Sequence, residues 1–139
     1  MNIVTLTPGR IGVMEVDENH RAVVLKRHFD RRDLKIESDI YALMRRIAPD
    51  YRHSDWRVFE TTNEGVFMAP LTVPLTIQVE RTVYRGELSS GAAGIVVTLL
   101  VLREAAMLYH DDDLFTKFLR LRDFASQHDE GRHILAATD

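Results

Sequence analysis

The chain contains no cysteine. A disulfide framework, a thiol nucleophile and cysteine-based zinc or iron–sulfur sites are therefore excluded. Proline and glycine are sparse, four and seven among 139 residues, and no linker rich in Pro, Gly or Ser divides the chain. Internal repeats and low-complexity tracts are missing too. The longest apolar run, residues 95–102, includes Thr98 and ends at Arg103-Glu104. It is far shorter than the roughly 20 residues that a membrane-spanning helix needs. The opening MNIVTLTPGRIGVMEV has no basic segment leading into an apolar stretch, so no secretory signal is read there. These absences lead us to expect a soluble, cytoplasmic protein. A strong charge of one sign is also lacking: 18 basic and 21 acidic side chains leave a net −3. A protein imitating DNA would need a dense field of carboxylates. A strong nonspecific nucleic-acid binder is usually basic overall.

What is present suits one ordinary globular domain over residues 1–139, with 45% apolar and 28% charged residues. A chain of this size buries about 65–70% of its unfolded surface, so one core forms without crosslinks or metals. Charge is unevenly spread. Residues 20–57 carry ten Lys/Arg against six Asp/Glu, whereas residues 58–139 carry seven against twelve.

Residues 1–13 are expected to form a peripheral N-terminal arm. Val23, Val24 and Leu25 lead into His28-Phe29 as a short extended piece or one helical turn. A helix is predicted over 33–48, because Ile36, Ile40, Leu43, Met44 and Ile47 form one apolar stripe and Pro49 stops it. The middle reads as a small antiparallel sheet, with strands over 56–60, 66–68, 75–80 and 83–88. Gly65 is expected to take positive φ in the first turn. Ser89 or Ser90 caps a helix that runs to about Tyr109. It is apolar all round and therefore buried, with Gly91 and Gly94 admitting a neighbour closely. Asp111-Asp112-Asp113 caps and charges the start of the next helix, which places Leu114, Phe118, Leu121 and Ala125 on one side. A last helix over 130–137 has Asp129 as its expected cap. The fold class is thus α+β, a central antiparallel sheet with helices before and after it.

No motif demands catalysis. The six histidines are scattered, and His128 and His133, five apart, diverge by about 140° on a helix. HExxH is absent, so neither a metal nor a cofactor is expected. Ser89-Ser90-Gly91 is not a nucleophile elbow, and the glycines of 86–94 match no phosphate-loop spacing. The basic segment 21–35, with Lys26, Arg27, Arg31, Arg32 and Lys35, is the best candidate for nucleic-acid contact. Asp30 and Asp33 interrupt it, and a solvated face explains it more simply. Trp56, the lone tryptophan, is read as core.

Several blocks occur in an order that resembles the ArdB/KlcA antirestriction family. They are Arg21-Ala22-Val23-Val24-Leu25 with His28-Phe29, the helix from Glu37 to Ile47, and Pro49-Asp50-Tyr51 with Trp56. Asn63-Glu64-Gly65-Val66-Phe67-Met68-Ala69-Pro70 follows, then Gly86 to Ile95, then Leu121 to Glu130, ending at Asp139. The likeness covers roughly residues 14–139. This chain departs from the family pattern in having Asp30 and Glu64 where glycine is usual, Ser54-Asp55 in place of Gly-Gly, and Asp129 in place of proline. The resemblance implies a non-enzymatic protein of mobile elements such as plasmids. It would relieve type I restriction of incoming DNA inside a bacterial cell, through a component of the restriction pathway. Arg21, Glu37, Trp56, Asn63, Gly65, Glu130 and Asp139 are its expected partner-binding residues. The alternative is a nucleic-acid-binding module built on residues 21–35.

Overall fold

The computed structural model describes residues 9–139, so the first eight residues of the expected arm lie outside the described part. Where the description begins, the chain is tied down on both sides. The amide of Ile11 donates to Gln127 Oε1 at 2.8 Å, and Gln127 Nε2 donates back to the Ile11 carbonyl at 2.6 Å. Gly12 then bonds Thr62.

Five strands and five helices follow. β1 (Val13–Glu15), β2 (Trp56–Thr61) and β3 (Val66–Pro70) form one antiparallel sheet in the order β1-β2-β3. Its register sets Val13 opposite Thr61 and Phe59 opposite Phe67. β4 (Leu75–Val79) and β5 (Tyr84–Leu88) form a separate two-stranded antiparallel ribbon, with Ile77 opposite Gly86. The α+β class is as expected, but the strands divide between two small sheets. The segment 71–74, with Pro74 before β4, breaks the continuity between β3 and β4.

The helices are α1 (Arg21–Phe29), α2 (Asp33–Ile47), α3 (Ser90–Tyr109), α4 (Asp112–Gln127) and α5 (Gly131–Thr138). α1 replaces the short extended piece or single turn expected from its valines. Val24, Leu25, His28 and Phe29 all face inward, and burial at a spacing of four outweighs the weak helix preference of β-branched residues. α2 buries Ile36, Ile40, Met44 and Ile47, as its stripe required.

α3 is the centre of the molecule and packs against β3, α2, α4 and α5. Ser89 caps it, accepting from the Ala92 amide at 3.2 Å. At 20 residues, with an 18-residue stretch of mean hydropathy 1.8, it is long and apolar enough to cross a membrane, which the short uninterrupted run did not suggest. Those apolar residues serve the core: Ile95, Val96, Val97, Leu99 and Leu102 are all fully buried. Close approach to β3 depends on Gly94, where a Cβ would lie 2.5 Å from the Ala69 Cβ. Gly91 has open space around it, so close packing does not account for it.

Two local expectations are corrected. In the β2–β3 turn the positive φ falls on Glu64, at 68°, and not on Gly65. Gly65 is needed for proximity instead, because a Cβ there would lie 2.5 Å from Thr61 Oγ1. At the start of α5 the cap position belongs to Glu130 and not to Asp129, and no side chain caps that end. The α4–α5 corner is too tight for the expected cap. Gly131 donates to the His128 carbonyl at 2.8 Å, and a Cβ on Gly131 would lie 2.5 Å from the Ala125 oxygen.

Candidate functional site

Three of the expected partner-binding residues meet beside one open cavity. Arg21 begins α1, Glu37 lies one turn into α2, and Trp56 begins β2. Arg21 Nη1 donates to the Trp56 carbonyl at 2.8 Å, and Nη2 donates to Glu37 Oε2 at 2.8 Å and contacts the Tyr41 hydroxyl. Tyr41 follows Glu37 by four residues, so both side chains share a face of α2. Its hydroxyl donates to the same Glu37 oxygen at 2.6 Å. Burial, then the bond to Glu37, pushes the Tyr41 pKa well up, so the hydroxyl stays protonated and remains a donor.

Trp56 is 6% exposed, in agreement with its reading as core. Its indole N–H donates to the Tyr51 hydroxyl at 2.8 Å. Tyr41 and Tyr51 meet the indole edge-on, with centroids 5.1 and 6.2 Å away. Arg21, these three rings, Arg45, His53, Ser54 and Asp55 line the cavity, which has a volume of about 390 Å³. Ser54 Oγ is buried and has no hydrogen-bond partner. The sequence reading missed Tyr41, Tyr51, Arg45 and His53. The Glu37–Tyr41 spacing on one helix was the available signal for the first of them.

The other expected contacts lie elsewhere. Asn63 and Gly65 lie in the β2–β3 turn, which Asn63 clamps onto α4 while the Gly65 amide donates to Thr61 Oγ1. Asn63 Nδ2 donates to the Arg120 carbonyl at 2.9 Å, Arg120 Nη1 returns a bond to the Asn63 carbonyl at 2.9 Å, and Lys117 Nζ reaches the Glu64 carbonyl at 3.1 Å. Glu130 reaches across to the start of α3. It accepts from the Ser89 amide at 2.9 Å and from the Ser89 hydroxyl. Burial pushes the Glu130 carboxyl up, but those bonds prevail and hold it below the usual range. Asp139 accepts from Arg122 Nη2 at 2.6 Å. The seven residues thus fall into four separate local structures.

A second cluster had no counterpart in the sequence reading. His28 on α1 meets Glu60 on β2 at 2.5 Å, and Arg27 pairs with the same carboxylate. Lys117 on α4 lies nearby, its pKa lowered chiefly by burial. These residues line a cavity of about 420 Å³. Among the described residues, no three His, Asp or Glu side chains converge as a metal would require.

Four of the six cations in the basic segment 21–35 are paired within the chain, while Lys26 and Arg31 are exposed with no ion pair among the described residues. Arg21 is held by Glu37 and Arg27 by Glu60. Arg32 is held by Asp111 at 3.3 Å with its guanidinium 3.7 Å over the Tyr109 ring, and Lys35 by Asp39 at 2.8 Å.

Comparison with known proteins returns one family. A family model described as "Antirestriction protein" matches residues 49–139. An antirestriction protein KlcA of Escherichia coli is 36% identical over 108 residues, covering 74% of this chain and 76% of that protein. A second Escherichia coli KlcA is 34% identical over 140 residues, covering 95% and 96%. A solved structure of the KlcA and ArdB proteins superposes with a TM-score of 0.86 at 35% identity, over 100% of both chains. Those proteins are reported to have a novel fold and antirestriction activity against type I DNA restriction systems in vivo but not in vitro.

Proposed function

The chain belongs to the antirestriction protein family, and from that premise we propose that it relieves type I restriction of incoming DNA by binding, without a covalent step. The observation that carries this reading is the end-to-end likeness, over 100% of both chains, to proteins with that activity in cells. Their activity in vivo but not in vitro supports a target within the restriction pathway that depends on a further cellular component. Residence in the bacterial cytoplasm follows from that target.

DNA mimicry is disfavoured by where the carboxylates are spent. Glu37, Glu60, Asp111 and Asp139 each pair with an arginine of the same chain, and Glu130 is committed to Ser89. The same pairing weakens the case for segment 21–35 as a DNA-binding stripe. A DNA-binding module would show affinity that falls steeply with salt. We expect little shift of duplex DNA in a gel at low or moderate salt.

Arg21, Glu37 and Trp56 form the part of the expected contact set that lies together, and we place a partner-binding region there. The test is a plating assay: unmodified phage titred on a type I restricting host with and without the protein. A rise in plating efficiency is expected. No rise, with the protein shown to be folded and expressed, would remove the reading.

A further inference from the structure

We propose that the cavity beside Trp56 is a binding site for a single nucleotide unit, a planar base carrying a phosphate. The inference does not rest on the restriction reading above. It rests on which groups around the cavity are already satisfied and which are not.

The satisfied groups make the walls. The Trp56 indole N–H is taken by Tyr51, the Tyr41 hydroxyl by Glu37, and the Arg21 guanidinium by Glu37, Tyr41 and the Trp56 carbonyl. Three ring systems therefore offer chiefly apolar surface. Tyr41 and Tyr51 each pack edge-on against the Trp56 indole, which holds all three rings in place on one wall of the cavity. Such surface suits a flat unsaturated ring.

The unsatisfied groups line the same space. Arg45 and His53 make no ion pair or side-chain hydrogen bond among the described residues, and both are exposed. Ser54, which also lines the wall, has its Oγ buried with no partner among the described residues. Arg45 matches a phosphate with a fork of donors, and His53 adds another. Asp55, the one carboxylate on the wall among the described residues, makes no ion pair with any of them and offers acceptors to the amino edge of a base. The volume of about 390 Å³ lies at the small end of ligand pockets and is far too small for a duplex. A nearly neutral protein therefore has no need of a basic face to use it.

The lone tryptophan gives a direct readout. The indole N–H resonance of Trp56 would be followed by NMR on the whole chain, titrated to millimolar dAMP, deoxyadenosine or inorganic phosphate. A saturable shift is expected with dAMP, with deoxyadenosine and phosphate each about tenfold weaker or worse, since each lacks half of the recognised chemistry. Arg45→Ala and His53→Ala should each weaken dAMP by about tenfold. Arg46→Ala, at a neighbouring residue that does not line the cavity, should leave it unchanged. A short oligo(dA) separates two sources of the same unit: tighter binding per nucleotide points to a single strand, equal binding to free nucleotide. Absence of any saturable shift with dAMP, or equal loss in the Arg45 and Arg46 variants, would overturn the proposal.

Discussion

Nε2 of His28 lies 2.5 Å from Glu60 Oε2, while the other ring nitrogen, Nδ1, is buried with no partner among the described residues. The pair fixes the protonation of the ring. A neutral imidazole donates from Nε2 to the carboxylate and leaves a bare lone pair at Nδ1. Protonation would bury an N–H without an acceptor, which costs more. Burial accordingly lowers the His28 pKa, and the opposing hydrogen bond to Glu60 only partly offsets it. For Glu60, burial pushes the carboxyl up, but the bonds from His28 and Arg27 prevail and hold it below its ordinary value.

The sign of the pH dependence follows. The unfolded chain protonates His28 near the ordinary value of 6.5, before the folded chain does. Stability is full above that value and is lost as the pH falls below it, by at most about 1.4 kcal/mol per pH unit for one proton. Glu60 adds a loss of the same sign only below its ordinary 4.5, so the interval from 6.5 to 5 reports chiefly on the histidine. Urea midpoints measured across that interval should fall in the native chain and fall less in His28→Gln. Equal slopes would sink this assignment.

Two glycines of α3 should respond to alanine in opposite directions. Gly94 faces β3, where an added Cβ would lie 2.5 and 2.6 Å from the Ala69 Cβ and Cα, so strand and helix must separate. A loss of about 1–3 kcal/mol is expected for Gly94→Ala. Gly91 has nothing within 4 Å, so Gly91→Ala should be neutral or gain up to about 1 kcal/mol from the lower entropy of the unfolded chain. Thermal melts of the two variants decide it. A stable Gly94→Ala protein would contradict the packing described.

Arg21 and Glu37 are expected to couple. Both side chains are partly wet, 23% and 24% exposed, so the coupling in a double-alanine cycle should be only about 1 kcal/mol. Arg21→Ala should cost more than Glu37→Ala, because it also strips a donor from the Trp56 carbonyl. It should shift the indole resonance of the single tryptophan as well. Additive single losses with an unmoved indole would show that the guanidinium does not hold this corner.

The elements that the sequence revealed are those governed by local rules. The α2 stripe, the all-apolar α3 and the caps at Ser89 and Asp111 each depend on spacing or on a side chain two or three residues from its target. What the sequence concealed depends on distant partners. The Trp56 cavity joins residues from α1, α2 and the segment entering β2, and Arg21 bonds across 35 positions to the Trp56 carbonyl. Glu130 similarly looks like a local cap until Ser89, 41 residues away, is brought beside it. α1 was obscured for another reason. Its two valines suggested extension, and only the inward packing of Leu25, His28 and Phe29 shows that helix geometry prevails.

Two of the residues that stand where the resembled family is expected to have glycine share a backbone property. Asp30 has φ 54° with ψ −135°, and Glu64 has φ 68°. Each therefore holds a positive φ that costs a residue with a Cβ about 1–3 kcal/mol and costs glycine little. Asp30→Gly should stabilise the protein by about 1 kcal/mol, after allowance for the greater freedom of glycine in the unfolded chain. Glu64→Gly should gain no more than that, since it also gives up the ion pair with Arg120, a small contribution because the Glu64 side chain is 78% exposed. Urea denaturation of each single variant and of the pair would check this. Plating efficiency on a type I restricting host should stay level if these residues serve only the backbone. A fall in stability for Asp30→Gly would mean that its side chain supplies something worth more than the strain it imposes.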